Sequence, residues 1–498
     1  MERWFKHGSF LGFCVSLGLV YGFFFTLFPP FMLIYLALPI MLLSIVVIWA
    51  LPDTNRAPTK LLTRLFFALL IAMMLWPNYL AIQLPGLPWM TLRRLIAFPM
   101  AGVLLICVST SAIFRSELVN SLNSVRPLAL MLAGFIAIQF LTIALSASPP
   151  FSVNHLLNYW VSATATFFAG AWVLARPKMA ARFAQMLIVL ALILCVVAAA
   201  EFWNRQVLWA GHIPSFLQVQ DLIVQKYLEA QIRDAEYRVI TTFTVSLSFA
   251  EFLAITSPFV IHRLMNSREV NPILFWGSID LALLAAINVT QSRLGILGWV
   301  TAHVVYVCIW AFRRWRSERA DLIAPAISIA YPIGAVLFFI GMFTVPAIRN
   351  RTIGGGSTGF SDQARADQFA MLWPRLMENP FGYGAGRSGD VLGFRLPGGM
   401  LTVDSYIITL VLEYGVIGLA LFGGMLIYAT AKMLQIAWRN KAGELSIALP
   451  LACALTVVIQ VRLVLSQPDN LPLIYMLLGM AAAVAWRARS VSEPDATA

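Results

Sequence analysis

A long polar stretch from Val345 to Val403, between two apolar runs, uses arginine as its only strongly cationic residue. Its arginines are Arg349, Arg351, Arg365, Arg375, Arg387 and Arg395. A guanidinium is a planar fork that binds two phosphate oxygens at once, whereas the lysine ammonium is a point charge. The pattern therefore favours a phosphate or pyrophosphate ligand. The alternative is a composition bias, because the whole chain uses arginine more than lysine.

Two further arginines mark the ends of apolar stretches on the same side of the predicted membrane. Arg293 lies in Thr290-Gln-Ser-Arg-Leu-Gly295, and Arg238 directly precedes the stretch that begins at Ile240. Each alone could snorkel towards lipid headgroups. Together, beside an arginine-rich loop, they favour a cationic pocket.

Four charged residues fall inside or near the ends of apolar stretches, where an unpaired charge is costly. They are Glu251, Asp280, Glu413 and Arg462. Such residues either pair with one another or form a proton or ion pathway. Structural pairing is the favoured interpretation.

The elements that must position these residues are membrane helices. The 498 residues are 60% hydrophobic and only 12% charged, which excludes an ordinary soluble protein. The chain offers about fourteen stretches of the roughly 20 apolar residues that a membrane-spanning helix needs. The first, Phe10–Phe28, is long and nearly continuous with Phe31–Leu51, so we expect it to be retained and not cleaved as a signal peptide.

The net charge of +12 reflects short basic clusters between apolar runs, which excludes nucleic-acid binding as its main cause. With a cytoplasmic amino terminus, the basic clusters fall on the cytoplasmic side, both termini are cytoplasmic, and Val345–Val403 lies outside. Arg93 and Arg94 also fall outside and contradict the rule.

Two outer segments are long enough to contain structure of their own. The first, about 203–238, carries Phe216, Val219, Ile223 and Tyr227 at helical spacing, which predicts an amphipathic helix at the membrane surface. The second, Val345–Val403, is rich in glycine and predicts an irregular loop with a helix over Asp362–Met377.

Five pieces of the sequence, in order, resemble the O-antigen ligase and O-antigen polymerase superfamily. They are Arg238-Val-Ile-Thr-Thr-Phe243 with Phe249-Ala-Glu-Phe-Leu253, Ser292-Arg-Leu-Gly295, Arg365, Glu378-Asn-Pro-Phe-Gly-Tyr-Gly-Ala-Gly386, and Glu413-Tyr-Gly-Val-Ile-Gly-Leu419. The resemblance covers about residues 238 to 431. It implies an integral inner-membrane glycosyltransferase whose donor is an undecaprenyl-pyrophosphate-linked glycan on the periplasmic side.

The resemblance also implies roles for individual residues. Arg238, Arg293 and Arg365 are expected to bind the donor pyrophosphate, and Arg375 and Arg387 are possible acceptor or loop residues. Glu413, in the Glu-x-Gly motif, is expected to be catalytic together with the residue nine positions before it.

That position departs from the ligases of the superfamily, which carry a His-Asn pair there. Here it is Asp404 followed by Ser405. A carboxylate can still accept a proton from an acceptor hydroxyl. Asp404 also directly precedes an apolar helix, where aspartate is a favoured N-cap, so base and cap both remain open.

The sequence therefore predicts an all-α, polytopic membrane helix bundle with a large periplasmic loop, similar to GT-C-type folds. We expect N-terminal helices with an amphipathic segment over 1–237, a catalytic core over 238–432 and C-terminal helices over 433–498. The predicted activity is inverting, metal-independent polymerisation of undecaprenyl-pyrophosphate-linked repeat units of an exopolysaccharide or O-antigen, without a cofactor.

Two alternatives stay open. One is an O-antigen ligase acting on lipid A core, and the other is a transporter of lipid-linked sugars, which should show an internal repeat that this sequence lacks. Expected partners are the lipid-linked donor glycan, an acceptor glycan, membrane lipid, and assembly proteins such as a flippase and a chain-length regulator.

Overall fold

The computed structural model describes residues 43–83, 89–219, 222–233, 236–317, 322–345, 359–395, 399, 401–440 and 443–492. The predicted span Phe10–Phe28, most of Phe31–Leu51, and the loop arginines Arg349 and Arg351 lie outside these residues.

The described chain is almost entirely helical. In chain order the helices are α1 (Thr59–Leu75), α2 (Leu92–Thr110), α3 (Ala112–Asn123), α4 (Arg126–Ile143), α5 (Pro149–Tyr159), α6 (Ala165–Val173), α7 (Met179–Asn204), α8 (Leu222–Leu228), α9 (Ser246–Asn266), α10 (Val270–Val289), α11 (Arg293–Ser317), α12 (Ile323–Thr344), α13 (Gly359–Glu378), α14 (Ser388–Leu392), α15 (Tyr406–Arg439), α16 (Ala448–Arg462) and α17 (Leu471–Ser492). A π-helical segment, Trp160–Thr164, joins α5 to α6.

Strand structure among the described residues is limited to two short antiparallel hairpins. Strand β1 (Ala81–Ile82) pairs with β2 (Met90–Thr91), and β3 (Ile232–Arg233) pairs with β4 (Glu236–Tyr237).

The prediction of an all-α membrane helix bundle is confirmed. Eight described segments are long and apolar enough to cross a membrane: Leu92–Thr110, Arg126–Ile143, Met179–Asn204, Val270–Val289, Arg293–Arg316, Tyr406–Arg439, Gly443–Arg462 and Leu471–Val491. The expected number of about fourteen spans is not confirmed.

Small residues let the central helices approach one another closely. A Cβ atom added to Gly295 of α11 would lie 2.6 Å from the Ala250 Cβ of α9, and one added to Gly298 would lie 3.1 Å from the Ala254 Cβ. Apolar side chains gain little by leaving lipid, so close backbone packing is what stabilises such a contact. The motif glycine Gly295 thus fixes α11 against the helix that carries the preceding motif.

The charges inside the bundle are paired. Arg462 Nη2 lies 2.8 Å from Glu251 Oε2, and both residues are buried. Asp280 Oδ2 lies 2.8 Å from His303 Nε2. The expectation of structural pairing is confirmed for Glu251, Asp280 and Arg462.

The predicted amphipathic segment is helical over a shorter range than expected. Helix α8 covers Leu222–Leu228, whereas Phe216 lies in the separate 3₁₀ turn Ser215–Leu217 that follows Pro214. Val219 precedes α8 and packs in a small apolar cluster with Tyr79. The expectation that Phe216 and Val219 share a helix with Tyr227 is therefore wrong, because the chain turns after Pro214.

Candidate active site

Arg238 and Arg293 are brought to the same end of the α10–α11 pair. Arg238 Nε donates to the Thr290 carbonyl at 3.2 Å, and the neighbouring Val239 N–H donates to the Val289 carbonyl at 3.2 Å. Thr290 is three residues before Arg293, the first residue of α11. Both guanidinium-bearing residues are half-buried. The fold therefore places both arginines next to the turn that joins α10 to α11.

That turn is held in place from inside by local hydrogen bonds. The Gly295 N–H donates to Ser292 Oγ at 3.1 Å, so Ser292 caps the first turn of α11. The Ser292 N–H in turn donates to Thr290 Oγ1 at 3.2 Å. The local hydrogen bonds thus explain why this turn carries Thr290, Ser292 and Gly295 around Arg293.

The segment that carries Arg238 is anchored by a residue that the sequence analysis missed, Glu201. This fully buried carboxylate at the end of α7 accepts hydrogen bonds from the Tyr237 hydroxyl (2.9 Å), the Ile240 N–H (2.9 Å) and the Thr241 N–H (2.8 Å). Thr241 has a φ of 52°, a conformation that costs a β-branched residue free energy and needs such support.

Tyr237 keeps the proton that it donates to Glu201. Burial raises the pKa of its phenol above the ordinary value, and the Glu201 charge raises it further. The sequence did contain a signal for Glu201: it is a single acidic residue near the end of a long apolar run, directly before Phe202. An acid in that place is costly unless polar groups surround it, and here three donors do.

Asp404 is not a helix cap, so that alternative is wrong. The N-cap residue of α15 is Ser405, with φ −101° and ψ 131°, and within residues 401–440 no side chain supplies the capping hydrogen bond. Asp404 lies one residue earlier. Its Oδ1 accepts from Thr402 Oγ1 at 3.3 Å, and its N–H donates to Gln368 Oε1 at 2.9 Å. The half-buried carboxylate is therefore free of a capping role, and its role as a base stays a prediction.

Gln368 connects Asp404 to the arginine-rich loop. It lies on α13, the helix predicted over Asp362–Met377, which is confirmed and extends from Gly359 to Glu378. Arg365 precedes Gln368 by three residues and so occupies the same face of α13. The apolar side of α13 packs on α15 through Leu372. Arg365 is thereby held on the helix face that contacts the Asp404 segment.

Glu413 lies where two of the sequence motifs interlock. It is 5% exposed, and its Oε1 accepts from Ser388 Oγ at 2.8 Å. The Tyr383 N–H donates to the Leu412 carbonyl at 2.7 Å, and the Gly384 N–H donates to the Glu413 carbonyl at 3.1 Å. These bonds need carbonyl groups that are not already hydrogen-bonded within the helix. The kink in α15 provides them.

The kink is at Gly415, with φ 68° and ψ −177°, a region open essentially to glycine alone. A Cβ there would overlap the Pro380 carbonyl, and a Cβ on Gly382 would lie 2.6 Å from the Glu413 carbonyl oxygen. The glycines of both motifs are required by backbone contact. The buried position of Glu413 suits a residue that fixes this contact, and its catalytic role stays a prediction.

The loop arginines Arg375 and Arg387 are each paired with an acid. Arg375 Nη1 lies 3.5 Å from Glu378 Oε2, and both side chains are about half exposed or more. Arg387 Nη1 lies 2.8 Å from Asp390 Oδ2, with its guanidinium carbon 6.0 Å from the centre of the Phe151 ring, and its side chain is 23% exposed. An exposed pair such as Arg375–Glu378 contributes little stability and is easily exchanged for a ligand. Their assignment to the acceptor stays a prediction.

Among the described residues, no three His, Cys, Asp or Glu side chains lie together as metal ligands would. Metal independence itself stays a prediction.

Residues 279–423 match the family model described as O-Antigen ligase, inside the predicted core 238–432. No curated protein matches the chain. The matched segment contains Arg293, Arg365, Asp404 and Glu413. The match confirms the resemblance, seen in the motifs, to the O-antigen ligase and O-antigen polymerase superfamily, whose members are glycosyl-transferring membrane enzymes.

Proposed function

We propose that the protein polymerises undecaprenyl-pyrophosphate-linked oligosaccharide repeat units at the periplasmic face of the bacterial inner membrane, with both termini in the cytoplasm. The observation that carries this proposal is the convergence of Arg238 and Arg293 at one turn. Two guanidinium groups at one helix end suit a ligand with two adjacent phosphates.

The proposed reaction is a single inverting displacement. An acceptor sugar hydroxyl attacks the anomeric carbon of the donor glycan, the bond from that carbon to the pyrophosphate oxygen breaks, and undecaprenyl pyrophosphate leaves. Arg238 and Arg293, with Arg365, neutralise the charge that develops on the leaving group. Asp404 accepts the hydroxyl proton.

No step in this scheme requires a metal, because pyrophosphate is a good leaving group and the arginines supply the positive charge. The protein must mainly hold donor and acceptor in line. The buried Glu201 network serves that end by fixing the backbone on both sides of Arg238.

The choice of polymerase over ligase rests on Asp404-Ser405, which replaces the His-Asn pair of the ligases. A ligase that transfers finished glycan to lipid A core remains the alternative. Transport of the lipid-linked sugar is less favoured, because the intramembrane acids Glu251 and Asp280 are each occupied by a partner.

The test is product analysis with purified full-length protein in lipid nanodiscs. Synthetic undecaprenyl-pyrophosphate-linked repeat units are supplied alone, with lipid A core, or with EDTA. We expect a ladder of polymer lengths on undecaprenyl pyrophosphate with and without EDTA. Glycan transferred only to lipid A core would establish the ligase instead. Loss of the ladder with EDTA would contradict metal independence, and unchanged donor in every reaction would contradict both transferase assignments.

A further inference from the structure

A cavity of about 270 Å³ lies outside the family-matched segment. Its walls come from the loop before α2, the start of α2, the π-helical segment Trp160–Thr164, helix α8 and the residues before α9. Its volume is near the lower end of the range for small-molecule sites, about 300–1,000 Å³. π-Helical turns are frequent at functional sites, and here one forms part of the wall.

The cavity contains the two arginines that contradict the positive-inside rule, and they are not equivalent. Arg94 is committed to the local fold, since its Nη1 donates to the Trp89 carbonyl at 2.6 Å and its N–H donates to the capping Thr91 Oγ1. The Arg93 guanidinium has no hydrogen bond or ion pair to any residue that the structure describes. Arg93 lines the cavity, and among the described residues it is the arginine of the wall whose guanidinium is not committed to a partner.

The charge around Arg93 suits one negative charge. Asp469 attracts the Arg93 guanidinium, and Arg94 repels it. The charged residues in the wall itself are Arg93 and Arg94. A single carboxylate or phosphate ester suits this pair, whereas the nearby acids Asp469 and Glu201, which act on Arg93 and Tyr79, oppose the larger charge of a pyrophosphate.

The uncharged walls suit a sugar ring. Trp89 and Tyr227 line the cavity. The Tyr227 ring packs against Tyr79, whereas the half-buried indole of Trp89 suits the C–H face of a pyranose. Asn158 also lines it. The amide nitrogen of Asn158 is used by Asn154, at 2.8 Å from the Asn154 carbonyl, which leaves the Asn158 side-chain oxygen to accept from a hydroxyl.

One loop connects this cavity to the Asp404 segment. Thr244, in the cavity wall, donates through Oγ1 to Asp469 Oδ2 at 2.6 Å. In the same loop, Ser466 Oγ donates to the carbonyl of Val403, the residue before Asp404. The same loop therefore contacts both the cavity wall and the Asp404 segment.

We infer that this cavity is a subsite for an anionic sugar residue of the glycan substrate, a pyranose bearing a carboxylate or a phosphate, held by Arg93 with Asn158 and Trp89. The inference rests on the proposed function for the identity of the glycan, but the binding itself can be measured without transfer.

The experiment uses the full-length protein in phosphatidylcholine nanodiscs, titrated with glucuronate, glucose and inorganic phosphate and followed by calorimetry. We expect glucuronate to bind at least about tenfold more tightly than glucose, because one charge-assisted contact distinguishes them. Arg93→Gln should abolish this preference, and Trp89→Leu should weaken both sugars alike. Lys226→Gln removes an exposed charge next to Tyr227 and should change binding less than twofold.

Several results would overturn the inference. They are equal binding of glucose and glucuronate, no glucuronate binding by the folded wild type, and undiminished binding by Arg93→Gln. Phosphate binding that phosphatidylglycerol displaces and glucuronate does not would identify a lipid headgroup site instead. Arg293→Ala should stop transfer and keep glucuronate binding, so loss of the proposed function and loss of this subsite are separate outcomes.

Discussion

Replacing Glu201 by glutamine tests whether a buried carboxylate positions Arg238. In the wild type, Oε1 accepts from the Tyr237 hydroxyl and the Ile240 N–H, and Oε2 accepts from the Thr241 N–H. Two of the three partners are backbone N–H groups that can only donate. A glutamine keeps one acceptor oxygen and places an NH₂ donor where the other oxygen was.

The cost follows from this count. At least one buried N–H loses its acceptor, which costs about 1–3 kcal/mol, and the remaining bonds lose their charge assistance. The neutral side chain is easier to bury, which offsets part of this loss. We expect a net loss of about 2 kcal/mol, confined first to residues 237–241. If all of it displaces Arg238 from its working position, kcat/KM for the donor falls by up to roughly thirtyfold.

The assay measures thermal unfolding and donor kcat/KM for Glu201→Gln beside two matched variants. Tyr237→Phe removes one hydroxyl donor and leaves both backbone bonds, so we expect a smaller loss of about 1 kcal/mol. Glu236→Gln changes an exposed acid one residue before Tyr237, so its unfolding temperature and kcat/KM should match those of the wild type. If Glu201→Gln behaved like Glu236→Gln in both measurements, the segment around Arg238 would be held by other contacts and the reasoning would be refuted.

Four further predictions test other parts of the molecule. Arg293→Lys should lose nearly as much activity as Arg293→Ala, because a point charge does not reproduce paired hydrogen bonds, and near-normal polymer from the lysine variant would reduce Arg293 to a general charge. Asp404→Asn should fold and bind donor while turnover falls on the order of a hundredfold or more, and wild-type turnover would exclude Asp404 as the base. Gly415→Ala should destabilise the protein by about 2 kcal/mol or more, against Gly423→Ala as control, where an added Cβ meets no atom within 4 Å; equal melting temperatures would contradict the interlock. Reporter fusions should place the loop Val345–Val403 outside and both termini inside, and a cytoplasmic loop would overturn the assigned active face.

The sequence was most informative where a pattern is local. Long apolar stretches predicted the membrane helices. The helix predicted over Asp362–Met377, within the glycine-rich loop, lies within a few residues of the observed ends of α13. The motif residues Arg293, Asp404 and Glu413 all fall inside the family-matched segment. Local patterns of this kind depend on the spacing of side chains along one element.

What the sequence left undetermined depends on contacts between distant elements or on single-residue boundaries. Glu201 and Thr241 are 40 positions apart, and no local pattern announces their hydrogen bond. The cap alternative for Asp404 was wrong by one residue, since the ends of a helix are its least predictable part. Gly415 was visible in the sequence only as part of the Glu-x-Gly motif, and its contact with Pro380 needed the fold.

The position of Glu201 also bears on how the active site is assembled. The family-matched segment 279–423 supplies Arg293, Arg365 and Asp404, but Arg238 precedes it, and the anchor of Arg238 lies still earlier on α7. Glu201 is a buried acceptor on a rigid helix, and its three hydrogen bonds are shielded from water. It therefore fixes the position of the segment around Arg238 more precisely than contacts within that segment alone would. The donor pocket that we propose is therefore built jointly by the matched segment and the helices before it. Changes in α7 that leave every motif residue intact should still alter donor binding.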